Sequence, residues 1–95
     1  EQVVEKTAHN PAIRYAIKDR GYIREGYYAD LVLVDIDKTT PVTQESLLYH
    51  CGWSPFLNHK FSANIASTWV NGQQVYDGQK VIDTSLVAKR LAFEK

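Results

Sequence analysis

Gly21-Tyr22-Ile23-Arg24-Glu25-Gly26-Tyr27-Tyr28-Ala29-Asp30-Leu31-Val32-Leu33-Val34-Asp35 places two glycines and an acidic residue ahead of an unbroken apolar run. Leu31 to Ile36 predicts a strand buried on both faces, because Leu-Val-Leu-Val offers no polar alternation for a solvated side. Upstream, Glu25 to Tyr28 predicts a turn with Gly26 at positive φ, and Tyr22 to Arg24 a short strand. Asp30 is placed to accept backbone amides at the turn. Asp30 and Asp35 bracket the strand, but an offset of five puts them on opposite faces, roughly 16 to 17 Å apart. They cannot share acid–base work on one small substrate.

On the N-terminal side, Val3, Val4, Thr7 and Ala8 form one helical stripe, predicting a helix over residues 2 to 8. Asn10-Pro11 then predicts a restart, with Asn10 as N-cap and Pro11 at the first helical position. The second helix runs to about Lys18 on Ala12, Ile13, Tyr15, Ala16 and Ile17, and Gly21 ends it. Two helices joined this way lack the basic face that DNA recognition requires. On the other side, Asp37 to Pro41 is a loop, Thr43, Glu45 and Ser46 open one or two helical turns through Tyr49, and His50 to Lys60 is an ordered loop. Asn71-Gly72 predicts a hairpin with both residues at positive φ and strands at about 63–71 and 73–77. Thr84 or Ser85 could cap a helix through Leu91, while Leu91 and Phe93 alternate as a strand would.

Ninety-five residues suffice for one small domain burying ~65% of its unfolded surface. An apolar fraction of 44% with eleven aromatics predicts a folded chain. Eleven basic residues balance eleven acidic ones, which argues against nucleic acid or an anionic membrane as partner. Cys51 stands alone, so no intrachain disulfide forms, and a reducing cytoplasm is the expected compartment. No apolar run reaches membrane-spanning length and no leader is visible. The opening Glu1-Gln2-Val3-Val4 resembles the middle of a helix, which suggests a trimmed chain.

Candidate chemistry is sparse. His9, His50 and His59 are dispersed, without the convergent spacing a metal needs. His50 adjoins Cys51, but loop neighbours rarely orient for proton transfer, and Cys51 is expected to be a partly buried packing residue. Ser54 lacks a nucleophile elbow. Trp53 and Phe56 around Pro55 are expected to pack on a neighbouring surface rather than line a ligand pocket. Gly21 and Gly26 form no phosphate loop.

Gly21…Gly26…Ala29-Asp30-Leu31-Val32, Cys51-Gly52-Trp53-Ser54-Pro55-Phe56 and Thr68-Trp69-Val70-Asn71-Gly72-Gln73-Gln74-Val75-Tyr76 together resemble the C-terminal end of the cyclic amidohydrolases. The first pattern marks the superfamily, and Trp-Ser-Pro-Phe ahead of Asn-Gly narrows the resemblance to the dihydroorotase group. It runs from about Asn10 to Lys95. Leu57-Asn58-His59 departs from it, since that group often continues Glu-Gly after the phenylalanine.

The resemblance implies a parent hydrolase that is zinc-dependent and cytoplasmic and interconverts N-carbamoyl-L-aspartate and dihydroorotate in pyrimidine biosynthesis. It implies an α+β chain: residues 1–20 as terminal helices of a catalytic (β/α)8 barrel, and 21–95 as the C-terminal part of a small, sandwich-like composite β domain. It also implies an extended Arg90-Leu91-Ala92-Phe93. The family's His-x-His pair, bridging lysine, further histidines and final aspartate have no counterpart here. No catalytic, cofactor-binding or metal residue is therefore assigned to this chain, and zinc is expected on residues elsewhere. The implied partners are the remainder of the same enzyme and further copies of it, with the small-molecule substrate reached only through the parent. The tail of an allantoinase, a dihydropyrimidinase or a catalytically silent homologue is an alternative, as is a free-standing β-rich interaction module.

Overall fold

The computed structural model describes residues 1–82 and 88–94. A helical run opens the chain: α1 (Gln2–Val4) passes through a π-helical turn (Glu5–His9) into α2 (Asn10–Arg14) without a break. The expected division into two helices at Asn10 is therefore corrected to one. Asn10 is itself helical, at φ −63 and ψ −43, and its N–H reaches the Glu5 carbonyl, five residues back. Pro11 explains the widened turn. It has no N–H to give Thr7, and its ring would press on the Thr7 carbonyl in a regular α-helix, so a π turn just ahead of it relieves both conflicts.

The helix also stops earlier than expected, and Gly21 does not stop it. Ala16 takes φ 52, while Ile17 N–H donates to Ala12 O at 2.9 Å and Ala16 N–H to Ile13 O at 3.2 Å. That crossed pair is a Schellman motif with alanine in the left-handed position usually held by glycine. Gly21, at φ +87, has another role. A Cβ there would lie 2.4 Å from Ala12 Cβ and 2.8 Å from Ala8 O, so the absent side chain lets the chain fold back against the helix.

Tyr22 to Arg24 is not a strand, contrary to expectation. Tyr22 stacks on His9 with ring centroids 4.1 Å apart, and a backbone committed to that stack does not enter a ladder. The sheet comprises β1 (Leu31–Asp35), β4 (Asn64–Val70) and β5 (Gln73–Tyr76), antiparallel in the order β1-β4-β5. Its register shifts between Leu33 and Val34 and again between Thr68 and Trp69. β4 and β5 join through Asn71 at φ 49 and Gly72 at φ 80. A second ladder, β2 (Thr40–Pro41) against β3 (Lys60–Phe61), closes a long loop containing one 3₁₀ turn (Gln44–Ser46). Ser46 Oγ accepts the Thr43 N–H at 3.0 Å and donates to Thr43 O, fixing that turn.

The expectation of a strand buried on both faces is also corrected. Val32 and Leu33 are 57% and 55% exposed, because β4 covers one edge of β1 and little covers its faces. Among the described residues only Ala12 and Ser67 count as buried. The radius of gyration is 15.5 Å, where a compact chain of this length has about 12 Å. The accessible surface is 8104 Å², where a closed globule of this mass exposes roughly 5,500 Å².

Of the two readings for the last residues, the helix from Thr84 or Ser85 begins outside the described residues. Residues 88–94 pass the helix exit without regular secondary structure apart from an antiparallel bridge between Ile17 and Phe93.

Candidate functional site

The most connected polar group is Arg20. The Schellman stop and Gly21 set it beside Asp30, with which it forms an ion pair through Nη1 and Oδ2. The other carboxylate oxygen, Oδ1, accepts the Asn71 N–H at 2.8 Å, and Gly72 N–H donates to Ala29 O at 2.9 Å. Asp30 thus accepts a backbone amide, from the tip of the distant hairpin. Arg20 Nη2 donates to Lys89 O at 3.2 Å, and its guanidinium lies 4.2 Å from the Tyr28 ring centroid. Arg20 Nε is buried and has no hydrogen-bond partner among the described residues. With the side chain only 13% exposed, the ion pair is shielded enough to count structurally. Its chemistry is that of a brace: both Nη groups of Arg20 and both carboxylate oxygens of Asp30 are spent on the protein itself. Local sequence gave no signal for Arg20 or Tyr28, since their partners lie up to 69 residues away.

The other residues weighed for chemistry stay apart. His9 lies flat on Tyr22, whose ring also carries Arg24 at 4.0 Å. His59 sits edge-on to Phe61 at 4.7 Å and to Phe56 at 6.2 Å. His50 has no described polar partner, and Cys51 is exposed, not partly buried as expected, because the 50–54 loop stands off the sheet. Ser54 Oγ accepts the Phe56 N–H at 3.1 Å, a local turn contact. Trp53 and Phe56 are 63% and 53% exposed. Among the described residues no three of His, Cys, Asp and Glu converge as metal ligands, so these residues do not fit a zinc centre.

Apolar surface is the chain's other distinctive feature. Leu48, Phe61, Ile65, Val75, Tyr76 and Val81 line an open groove beside the sheet. On the helix, Val3, Val4 and Ile13 are all exposed. The surface exceeds that of a closed globule by about 2,600 Å², comparable to what an obligate interface covers.

The chain is 40% identical over 81 residues to a dihydroorotase of Halobacterium salinarum, covering 85% of this chain and 19% of that protein. It is 31% identical over 81 residues to an allantoinase of Desulfitobacterium hafniense, covering 85% and 18% respectively. It is 35% identical over 80 residues to an N-acyl-D-aspartate deacylase of Alcaligenes xylosoxydans, covering 84% and 14%. The chain thus spans less than a fifth of the length of these curated relatives. The Amidohydrolase family matches residues 1–75. On that match, and on relatives that span most of it, this chain belongs to the amidohydrolase family.

Proposed function

We propose that this chain is the C-terminal structural portion of a dihydroorotase-type enzyme, a hydrolase that opens and closes a cyclic amide. The observation that carries this reading is the 40% identity to a dihydroorotase across 85% of the chain, against 31% to an allantoinase over the same length. Residues 1–20 would end the catalytic barrel and 21–95 would form the C-terminal share of the β domain. The chain's contribution is mechanical. The Arg20–Asp30 brace joins helix exit, strand and hairpin, and the uncovered apolar faces of the helix and sheet seat against the rest of the enzyme. That enzyme would use zinc held by residues outside this chain and would act in pyrimidine biosynthesis, in the cytoplasm and as an oligomer.

The test is direct. The polypeptide carrying this chain should hydrolyse dihydroorotate in preference to allantoin, whereas the 95 residues alone should neither turn over dihydroorotate nor hold stoichiometric zinc. Preference for allantoin would transfer the assignment to the allantoinases, and turnover by the 95 residues would overturn the structural role.

A further inference from the structure

We propose that residues 88–94 form a strap whose seating on the helix exit is transmitted through Arg20 to the tip of the β4–β5 hairpin. The strap runs antiparallel to residues 16–18: Lys18 N–H donates to Ala92 O and Glu94 N–H to Ala16 O, both at 2.8 Å. Just upstream, Lys89 O accepts Arg20 Nη2 at 3.2 Å. The same guanidinium holds Asp30 Oδ2 through Nη1, and Asp30 Oδ1 holds the Asn71 N–H. Three segments distant in sequence meet at one cation and one carboxylate.

The coupling follows from the shape of arginine. Nη1 and Nη2 belong to one rigid plane, so the orientation that satisfies Lys89 O also aims at Asp30, and losing either acceptor frees the other to drift. Tyr28, stacked at 4.2 Å, keeps the plane from rotating. Asn71 depends on the outcome. It is a non-glycine residue at φ 49, and its amide hydrogen bond goes to the carboxylate that Arg20 orients. The strap is the weak member. Residues 88–94 are all exposed, and segments held by few solvent-facing hydrogen bonds open at low free energy. When the strap lifts, Arg20 loses one of its two acceptors and the hairpin tip loosens. Arg20 is therefore a positioning residue for the tip.

The experiment measures residue-resolved amide exchange in the enzyme that carries this chain, comparing Asn71 with the β4 amides of Ile65 and Ser67. Removing residues 88–95 should accelerate Asn71 exchange about tenfold and leave the β4 amides unchanged, the signature of a local opening. Arg20→Lys, which keeps the charge and loses the fork, should do the same, and the two changes together should add little to either alone. Glu94→Pro, which deletes one strap donor and spares Arg20, should give a smaller rise and serves if Arg20→Lys does not fold. Unchanged Asn71 exchange after strap removal, or effects of strap removal and Arg20→Lys that multiply, would overturn the coupling.

Discussion

Gly21→Ala should be far more damaging than Gly26→Ala, although both residues sit at nearly the same backbone angle, φ +87 and +86. The shared cost is that of forcing an L-residue into the left-handed region, about 1–2 kcal/mol. Steric surroundings separate them. At Gly26 a new Cβ meets nothing within 4 Å, whereas at Gly21 it would fall 2.4 Å from Ala12 Cβ and 2.8 Å from Ala8 O. Carbon atoms rest about 3.5–4.0 Å apart, so the loop must withdraw by more than an ångström from a helix that the His9–Tyr22 stack holds close. Overpacking of this kind costs about 1–3 kcal/mol, giving about 2–5 kcal/mol for Gly21→Ala against 1–2 for Gly26→Ala. Urea denaturation of the longer polypeptide that carries this chain should give Gly21→Ala the lower midpoint, by about 0.5 M for an m-value near 3 kcal/mol/M. Ala12→Gly should recover part of the Gly21→Ala loss, although it weakens the helix by about 1 kcal/mol on its own. Equal midpoints for the two alanine variants would show that the close approach of loop and helix is wrong.

Asp77 accepts the backbone N–H groups of Lys80 and Gln79, each at 2.9 Å, and these hold its carboxyl below the ordinary aspartate range. A depressed folded-state pKa contributes stability above the unfolded value that is lost as pH falls through the folded one. NMR titration should therefore place the Asp77 midpoint below about 3.9, and Asp77→Asn should remove its share of the acid sensitivity below pH 4; a midpoint at or above that of an unfolded peptide refutes this. Cys51 should be alkylated stoichiometrically in the 95-residue chain and more slowly in the full enzyme, and equal rates would mean that the 50–54 loop is not covered there. Asp30→Ala should destabilise by about 2–4 kcal/mol, since it strands a shielded guanidinium and an amide together, with Asp30→Asn retaining the amide contact. Matching unfolding midpoints for Asp30→Ala and Asp30→Asn would show the amide contact to be idle, and an Asp30→Asn midpoint equal to that of the unaltered chain would show the ion pair to be idle.

Local chemistry was legible where one or two residues decide the backbone. The strand from Leu31 and the loop after His50 follow from side chains within a few positions of each other, whereas the turn opened at Thr43 ends at Ser46 and does not reach Tyr49 as expected. Helix topology was misjudged at Asn10-Pro11, because proline allows either a fresh start or a π-widened continuation, and the sequence signal for both is the same. The Tyr22–Arg24 strand failed because stacking on His9 competes with laddering, a contact across thirteen residues that no local pattern encodes. The brace was half visible. Asp30 reads as an amide acceptor from its place at the turn, whereas Arg20 acquires its role only when helix exit, hairpin and strap converge on it. Exposure of β1 was invisible to an apolar pattern that records what a strand is suited to meet, including surfaces supplied from outside the chain.

Ala16 leaves the helix stop short of its optimum. An alanine held at φ 52 has a methyl group where glycine would have none, and the strain amounts to about 1–2 kcal/mol. Ala16→Gly should recover part of this, offset by the wider freedom glycine brings to the unfolded chain. For anyone seeking a sturdier version of this chain, the profitable edit is the deletion of one methyl group at the helix exit.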